Sequence, residues 1–210
     1  MKHQFSMKRF FSQRGMTMTE LMISMTLVSI IGTAFFGAFS GMRNQMSRQN
    51  MFMATDSSAK NAMERISKDV KEAARIESSY GGDTTGTTAL ILRLPSISAT
   101  GAPTNIASQF DYVTYKLNPS NTSQLIRTID VLNGTSQREG GTDKSNIVIA
   151  KRVTSLQFSN SAGAGLSTLS ASAIQALKRV NVQITAQGTT MGTNQQTQLD
   201  SDLMLRNKIS

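Results

Sequence analysis

Charge vanishes from the chain for 22 consecutive positions, Leu21 to Met42 (LMISMTLVSIIGTAFFGAFSGM), and then returns with a helical period. As a helix rising about 1.5 Å per residue, that run spans roughly 33 Å, close to the hydrocarbon thickness of a bilayer. Downstream, Ala59, Ala62, Met63, Ile66, Val70, Ala73, Ala74 and Ile76 recur mostly at three- and four-residue steps, which gathers them into one apolar stripe. Glu64 and Lys68 lie four apart in the favourable order and Lys68 and Glu72 in the reverse order, each pair adding only a few tenths of a kcal/mol. No proline interrupts before Pro95. The pattern predicts a single helix from about Met16 to Glu77, apolar nearly all round in its first half and amphipathic in its second.

After Tyr80 the composition turns to Gly, Thr and Ser, and alternation replaces the helical period. Strands are predicted over Ala89 to Leu94, Tyr112 to Leu117, Leu125 to Leu132, Asn146 to Lys151, Val153 to Ser159, Arg179 to Gln187 and Gln198 to Leu205. Asn118-Pro119-Ser120-Asn121 is a turn signal that makes its two flanking strands an antiparallel hairpin. Val180, Val182 and Ile184 alternate with Asn181, Gln183 and Thr185, the mark of a half-buried sheet. Covering that sheet with the helical stripe gives an α+β domain, one helix against one antiparallel sheet. Ser159 to Ala173, rich in Ser, Gly and Ala, reads as a long surface loop. The divisions expected are 1–15, 16–42, 43–80 and 81–210.

Two features qualify the apolar run. Its amino-terminal flank is basic (Lys8, Arg9, Arg14), which holds that end on the cytoplasmic side and sends the following chain outside. A secretory signal peptide cut near Ala38-Phe39-Ser40 competes with a permanent membrane helix, and the length of the run favours the helix. Glu20 stands at the start of the run, where an ionised carboxylate is costly without a partner; it either snorkels to the headgroups and caps the helix through the macrodipole, or meets a cation. Ser29, Thr33, Gly37 and Gly41 place small residues at every fourth position, which permits close helix approach or merely reflects the glycine content of membrane helices.

Composition removes most catalytic chemistry. The 210 residues are 39% hydrophobic with no cysteine and no tryptophan, and the single histidine is His3. That removes disulfides, thiolate metal sites and cysteine or histidine catalysis. No HExxH, CxxC, GxGxxG or GxSxG pattern occurs, and Gly140-Gly141-Thr142-Asp143-Lys144-Ser145 lacks the glycine directly before lysine that a phosphate loop needs, so it reads as a turn. Asp200 and Asp202 would share one face of a strand, but two carboxylates fall short of calcium's six to eight oxygens. The methionines concentrated on the helix (Met16, Met18, Met22, Met25, Met42, Met46, Met51, Met53) suit flexible apolar packing better than a thioether metal site. No cofactor and no metal are expected. The formal charge is +9, yet Lys2, Lys8, Arg9 and Arg14 carry four of the 22 basic residues; without residues 1–15 there remain 18 basic and 13 acidic residues, a net +5. That charge is dispersed, which suits a solvated face better than a nucleic-acid surface.

The stretch Arg14-Gly15-Met16-Thr17-Met18-Thr19-Glu20-Leu21-Met22, with a basic leader before it and an apolar run after it, resembles the processing signal of type IV prepilins and type II secretion pseudopilins. By that resemblance Gly15 precedes the bond cut by a prepilin peptidase, Met16 becomes the N-methylated first residue, and Glu20 is the carboxylate used in filament assembly. Phenylalanine is commoner in the family where Met16 stands. A residue without a side chain lets a peptidase approach the backbone, and a carboxylate buried among helices is tolerable when it meets a neighbour's new α-amino group. The segment Ala62-Met63-Glu64-Arg65-Ile66-Ser67-Lys68-Asp69-Val70-Lys71-Glu72-Ala73 is similar to the second helical half of J-type minor pseudopilins and W-type minor pilins. Tyr112 to Leu117, Gln124 to Thr128, Val153 to Phe158 and Leu203 to Asn207 are similar to strands of those subunits.

The resemblance implies a structural subunit rather than an enzyme, anchored in the inner membrane by one span with its carboxy-terminal domain periplasmic or extracellular, then moved into a pilus or pseudopilus near the tip. Its implied partners are other minor and major pilins or pseudopilins, the prepilin peptidase, the inner-membrane assembly platform, and membrane lipid before assembly. Two rivals remain: a tip subunit of a DNA-uptake or adhesion pilus, motivated by the residual +5 charge, and a conventionally secreted protein beginning at Gly41. Met7 would serve as a start as well as Met1.

Overall fold

The computed structural model describes residues 16–104, 109–131, 136–190 and 192–205. The chain divides into two compact units between Met46 and Ser47. Helix α1, Met18–Glu72, contributes to both.

In the first unit every described residue is exposed, and the helix is long and apolar enough to cross a membrane. Its polar side chains are turned back on the backbone. The hydroxyls of Ser24, Thr26 and Ser29 each donate to the carbonyl four residues earlier at 2.8 Å, Thr33 donates to Ser29 and Ile30 at 3.0 and 2.9 Å, and Ser40 donates to Gly37 at 2.9 Å. Such back-bonding satisfies each hydroxyl without water, so the exposed surface between Leu21 and Met42 is mostly hydrocarbon.

In the second unit α1 buries Thr55, Ala59, Ala62, Ile66, Asp69 and Val70, the predicted stripe with two polar additions. The helix ends at Glu72 rather than Glu77. Ala73 N–H bonds to the Val70 carbonyl in a tightened last turn, and strand β1, Arg75–Glu77, then pairs with residues Ile91–Arg93. Ala73, Ala74 and Ile76 are buried as the stripe predicts, but the backbone beyond Ala73 takes its hydrogen bonds from a neighbouring strand. Periodicity over so few residues cannot separate these outcomes.

A two-strand ribbon follows, β2 (Ser79–Tyr80) and β3 (Asp83–Thr84), joined through Gly81 and Gly82 at φ 60° and 88°. Positive φ at both central residues is what a type I′ hairpin demands, and Gly-Gly is its sequence signal. The main strands are β4 (Ala89–Pro95), β5 (Phe110–Asn118), β6 (Asn121–Asp130), β7 (Lys144–Lys151), β8 (Val153–Ser159), β9 (Arg179–Thr190) and β10 (Thr193–Met204). All seven predicted strands are present, several extended by one to five residues, while β6 stops at Asp130 and β10 at Met204, leaving Val131 and Leu205 outside the strands; Leu132, the predicted end of β6, lies outside the described residues. The β5–β6 hairpin closes at Asn118 and Asn121 as expected, with Asn118 Oδ1 accepting from Ser120 N–H at 3.0 Å and Asn121 Oδ1 from Ser123 N–H at 3.1 Å.

The expected single sheet is two: β1-β4-β5-β6-β7 and β10-β9-β8, all neighbours antiparallel. They part between β7 and β8, where Arg152 alone bridges the strands at φ 64°, a left-handed conformation that redirects the chain. Leu90, Leu92 and Leu94 of one sheet and Val180, Val182 and Ile184 of the other share a core with Ala59, Ala62, Ile66 and Val70 of α1. The Ser159 to Ala173 loop also needs correction. It contains a 3₁₀ turn at Leu166–Thr168, and helix α2, Ala171–Ala176, begins within it, with Ser170 as N-cap accepting from Ala173 N–H at 3.3 Å. Leu166 and Ile174 anchor these turns in the core.

At Gly188 the backbone of β9 runs close against α1. A Cβ there would lie 2.8 Å from Met51 Cγ and 2.8 Å from Thr55 Oγ1. Gly188→Val is expected to destabilise this unit by about 1–3 kcal/mol through overpacking, read as a lower urea midpoint with an unchanged slope.

Three ionic clusters lie where the helices meet the sheet, each built around a buried charged side chain. Arg127 of β6 and Asp69 of α1 pair at 2.7 Å with both side chains 2% exposed, and Tyr115 of β5 donates its hydroxyl to the same Asp69 oxygen at 2.5 Å. Glu139, at φ 48°, accepts from Arg127 Nη1 at 2.7 Å and pairs with Arg65. Arg138 donates to Asp111, Glu72 and the Pro95 carbonyl at 3.0, 2.9 and 2.9 Å. Glu77 receives Arg75 at 2.6 Å and Gln175 of α2 at 3.1 Å, which fastens α2 over β1.

Burial, and next the Asp69 charge, push the Tyr115 hydroxyl well above the ordinary tyrosine range, and burial with the Asp130 hydrogen bond raises Tyr80 as well. The folded state therefore holds these protons more tightly than the unfolded state does. Their contribution is complete below the unfolded tyrosine value of about 10 and is lost as pH rises beyond it. The urea midpoint should begin to fall above about pH 10, with a smaller fall in Tyr115→Phe.

Candidate functional site at the amino terminus

Met16 and Thr17 precede the first turn of α1, and Glu20 lies within it. Thr17 is the N-cap. Its N–H and its hydroxyl both donate to Glu20 Oε2 at 3.0 Å, and Glu20 N–H donates back to Thr17 Oγ1 at 3.3 Å. This reciprocal arrangement is a capping box, which satisfies two amide donors that a helix start leaves orphaned. The signature Thr-x-x-Glu before an apolar run stands in the sequence at Thr17 to Glu20, and reading Glu20 through the macrodipole alone overlooks it. Among the described residues Oε1 takes no hydrogen bond, so the box leaves one carboxylate oxygen open to an incoming donor.

Beyond the hydroxyls of Thr17, Thr19 and Ser24, the surface beside this carboxylate is apolar. Met16, Met18 and Met22 are exposed, as are Phe35 and Phe36 further along, each at 75%. Gly32, Gly37 and Gly41 have nothing within 4 Å of where a Cβ would stand, so the backbone is bare along the small-residue positions and open to close approach. Gly15 and the basic leader lie outside the described residues.

Other sequence candidates fall into ordinary structural roles. Asp200 and Asp202 share the exposed face of β10 and are held by Asn181 at 2.7 Å and Arg179 at 3.4 Å of β9. No group of three or more metal-ligating His, Cys, Asp or Glu side chains occurs among the described residues. Gly140 to Ser145 forms a turn leading into β7, with Gly141 at φ 72° and Asp143 accepting from Val131 N–H at 2.7 Å. The exposed methionines of α1 are spread along its length.

Residues 11–36 match the family model described as the prokaryotic N-terminal methylation motif. The match contains Gly15, Met16 and Glu20 and supports the pilin and pseudopilin superfamily as the class of this chain. It covers the signal and the start of the apolar helix, not the domain that follows. Comparison with curated proteins and with solved structures returned no match. The motif implies processing by a prepilin peptidase and assembly with other pilins. The long apolar helix and the motif together fit membrane anchoring with the carboxy-terminal domain outside.

Proposed function

We propose that this chain is a minor pilin or pseudopilin, a structural subunit without catalysis of its own, carried by the inner membrane and then incorporated near the tip of a type II secretion pseudopilus or type IV pilus. The observation that carries this reading is the coincidence, within residues 11–36, of the methylation motif with a capped, exposed helix that carries no charge after Glu20. In it Gly15 precedes the scissile bond, Met16 becomes the methylated amino terminus, and Glu20 receives the α-amino group of a neighbouring subunit on its open oxygen. The helix core supplies lateral packing through its apolar surface and its bare glycine positions. The similarity of residues 62–73 to J- and W-type subunits favours the minor role over that of a major subunit. The domain after Ser47 presents its own surface to other minor subunits.

The deciding measurement is the intact mass and amino-terminal sequence of the protein isolated from membranes of its native host. A chain beginning at Met16 with one added methyl is the expected result. A chain beginning at Gly41 would remove the helix and overturn the proposal.

Glu20→Ala separates processing from assembly. Cleavage is expected to proceed because the peptidase acts at Gly15 and Met16, whereas filament incorporation, read as the pelleted fraction of sheared filaments, should fall at least tenfold. Thr17 keeps its N-cap hydroxyl in this variant, so the helix start loses only one arm of its box. Normal incorporation would leave Glu20 with a capping role alone.

A further inference from the structure

The four terminal strands of the two larger sheets are β1, β7, β8 and β10. Three of them are guarded. α2 lies against β1, and Gln175 ties it there through Glu77. β7 carries lysine at both ends, its register with β6 is broken twice, and its last N–H donates to Ser58 Oγ of α1 at 3.0 Å. β8 gives its Phe158 N–H to the Thr87 carbonyl at 2.7 Å and bridges Gly165 through Ser159. These are the devices by which proteins block an open edge.

Among the described residues β10 has neither a covering segment, a register break nor a lysine, and its two aspartates are its one guard. It is twelve residues long, pairs with β9 without a register shift, and contains no lysine, arginine or proline from Thr193 to Met204. Among the described residues no backbone hydrogen bond reaches β10 from any strand but β9. Its solvent face is Asn194, Gln196, Gln198, Asp200, Asp202 and Met204, polar enough to stay soluble while leaving the ladder of amides and carbonyls free. Its charge has one sign. Asp202 meets Arg179 at 3.4 Å, whereas among the described residues Asp200 is bonded by the uncharged Asn181.

We propose that the open edge of β10 is a strand-addition site, and that its occupant is an extended segment of a neighbouring subunit bearing lysine or arginine at alternate positions. Main-chain hydrogen bonds to β10 would supply affinity, and alternate basic side chains opposite Asp200 and Asp202 would set register and select the partner. The site rests on the filament role only for the kind of protein that supplies the strand; the amino-terminal mass tests that role, so either reading can fail alone.

The test uses the mature chain in detergent micelles and two ten-residue probes, one alternating lysine with threonine and one alternating glutamate with threonine. Amide hydrogen exchange is followed by mass spectrometry. The lysine probe should slow exchange in residues 193–204 at least tenfold while leaving β7 unchanged, the glutamate probe should have no effect, and Asp200→Asn with Asp202→Asn should weaken the response about tenfold. Both aspartates are exposed, so the fold survives their replacement. No slowing, equal slowing by the two probes, or slowing at β7 as well would overturn the proposal. So would protection of β10 that grows with protein concentration alone, which would make a second copy the occupant.

Discussion

Asp69→Ala is expected to lower the stability of the Ser47–Ser210 unit by about 3–5 kcal/mol, the cost of leaving a buried charge without its partner. Arg127 is 2% exposed and would keep Glu139, itself shared with Arg65, as its ionic partner and the uncharged Tyr115 hydroxyl at 3.2 Å, while that hydroxyl would lose the carboxylate that accepts its proton. The three residues come from α1, β5 and β6, so one truncation loosens the helix from two strands at once. Asp69→Asn should fall between wild type and alanine, because an acceptor oxygen remains while the charge is gone. The double variant Asp69→Leu with Arg127→Met should recover most of the loss, since exchanging a whole buried ion pair for apolar groups is often neutral or better. Urea midpoints of the four proteins in the same detergent decide the matter. A double variant as unstable as Asp69→Ala would show that the seam needs the ions themselves.

Local signals were legible and non-local ones were not. The stripe from Ala59 to Val70 and the alternation from Val180 to Ile184 report which faces are buried, because burial follows period. The helix end at Glu72 was hidden, since Ala73, Ala74 and Ile76 are buried whether the backbone coils or extends, and only the pairing of Arg75 with Arg93 decides between them. Helix α2 was hidden by its length of six residues and its small side chains; Ser170 is its one local signal. The division into two sheets hangs on the left-handed conformation of Arg152, a residue type that does not advertise it. The Asp69–Arg127–Tyr115 cluster joins residues 58 and 46 positions apart, beyond the reach of any period. At the amino terminus the reverse holds: Gly15, Met16 and Glu20 are local signals within one short segment, and Thr17, the capping partner of Glu20, stands three residues before it.

The largest functional effect is expected at Gly15. Gly15→Leu should leave the chain in the membrane at full length, with incorporation into filaments reduced below detection, as read by the intact mass of membrane-extracted protein and by immunoblot of sheared filaments. In the proposed processing a peptidase must bring its catalytic groups against the backbone at the bond between Gly15 and Met16, and a branched side chain at that position would occupy the space that glycine leaves open. The lost cleavage has a second consequence. While the leader remains, the nitrogen of Met16 is an uncharged amide, and no subunit can offer a neighbour's Glu20 the cation that would offset burial of its carboxylate. In the proposed topology the retained Lys8, Arg9 and Arg14 would also hold the leader on the cytoplasmic side, opposing movement of the helix out of the bilayer. Gly15→Ala should restore both processing and incorporation in large part, because one methyl group is the smallest intrusion into the peptidase's approach. Full-length Gly15→Leu chains that still entered filaments would separate assembly from the new amino terminus and leave Glu20 without its proposed partner.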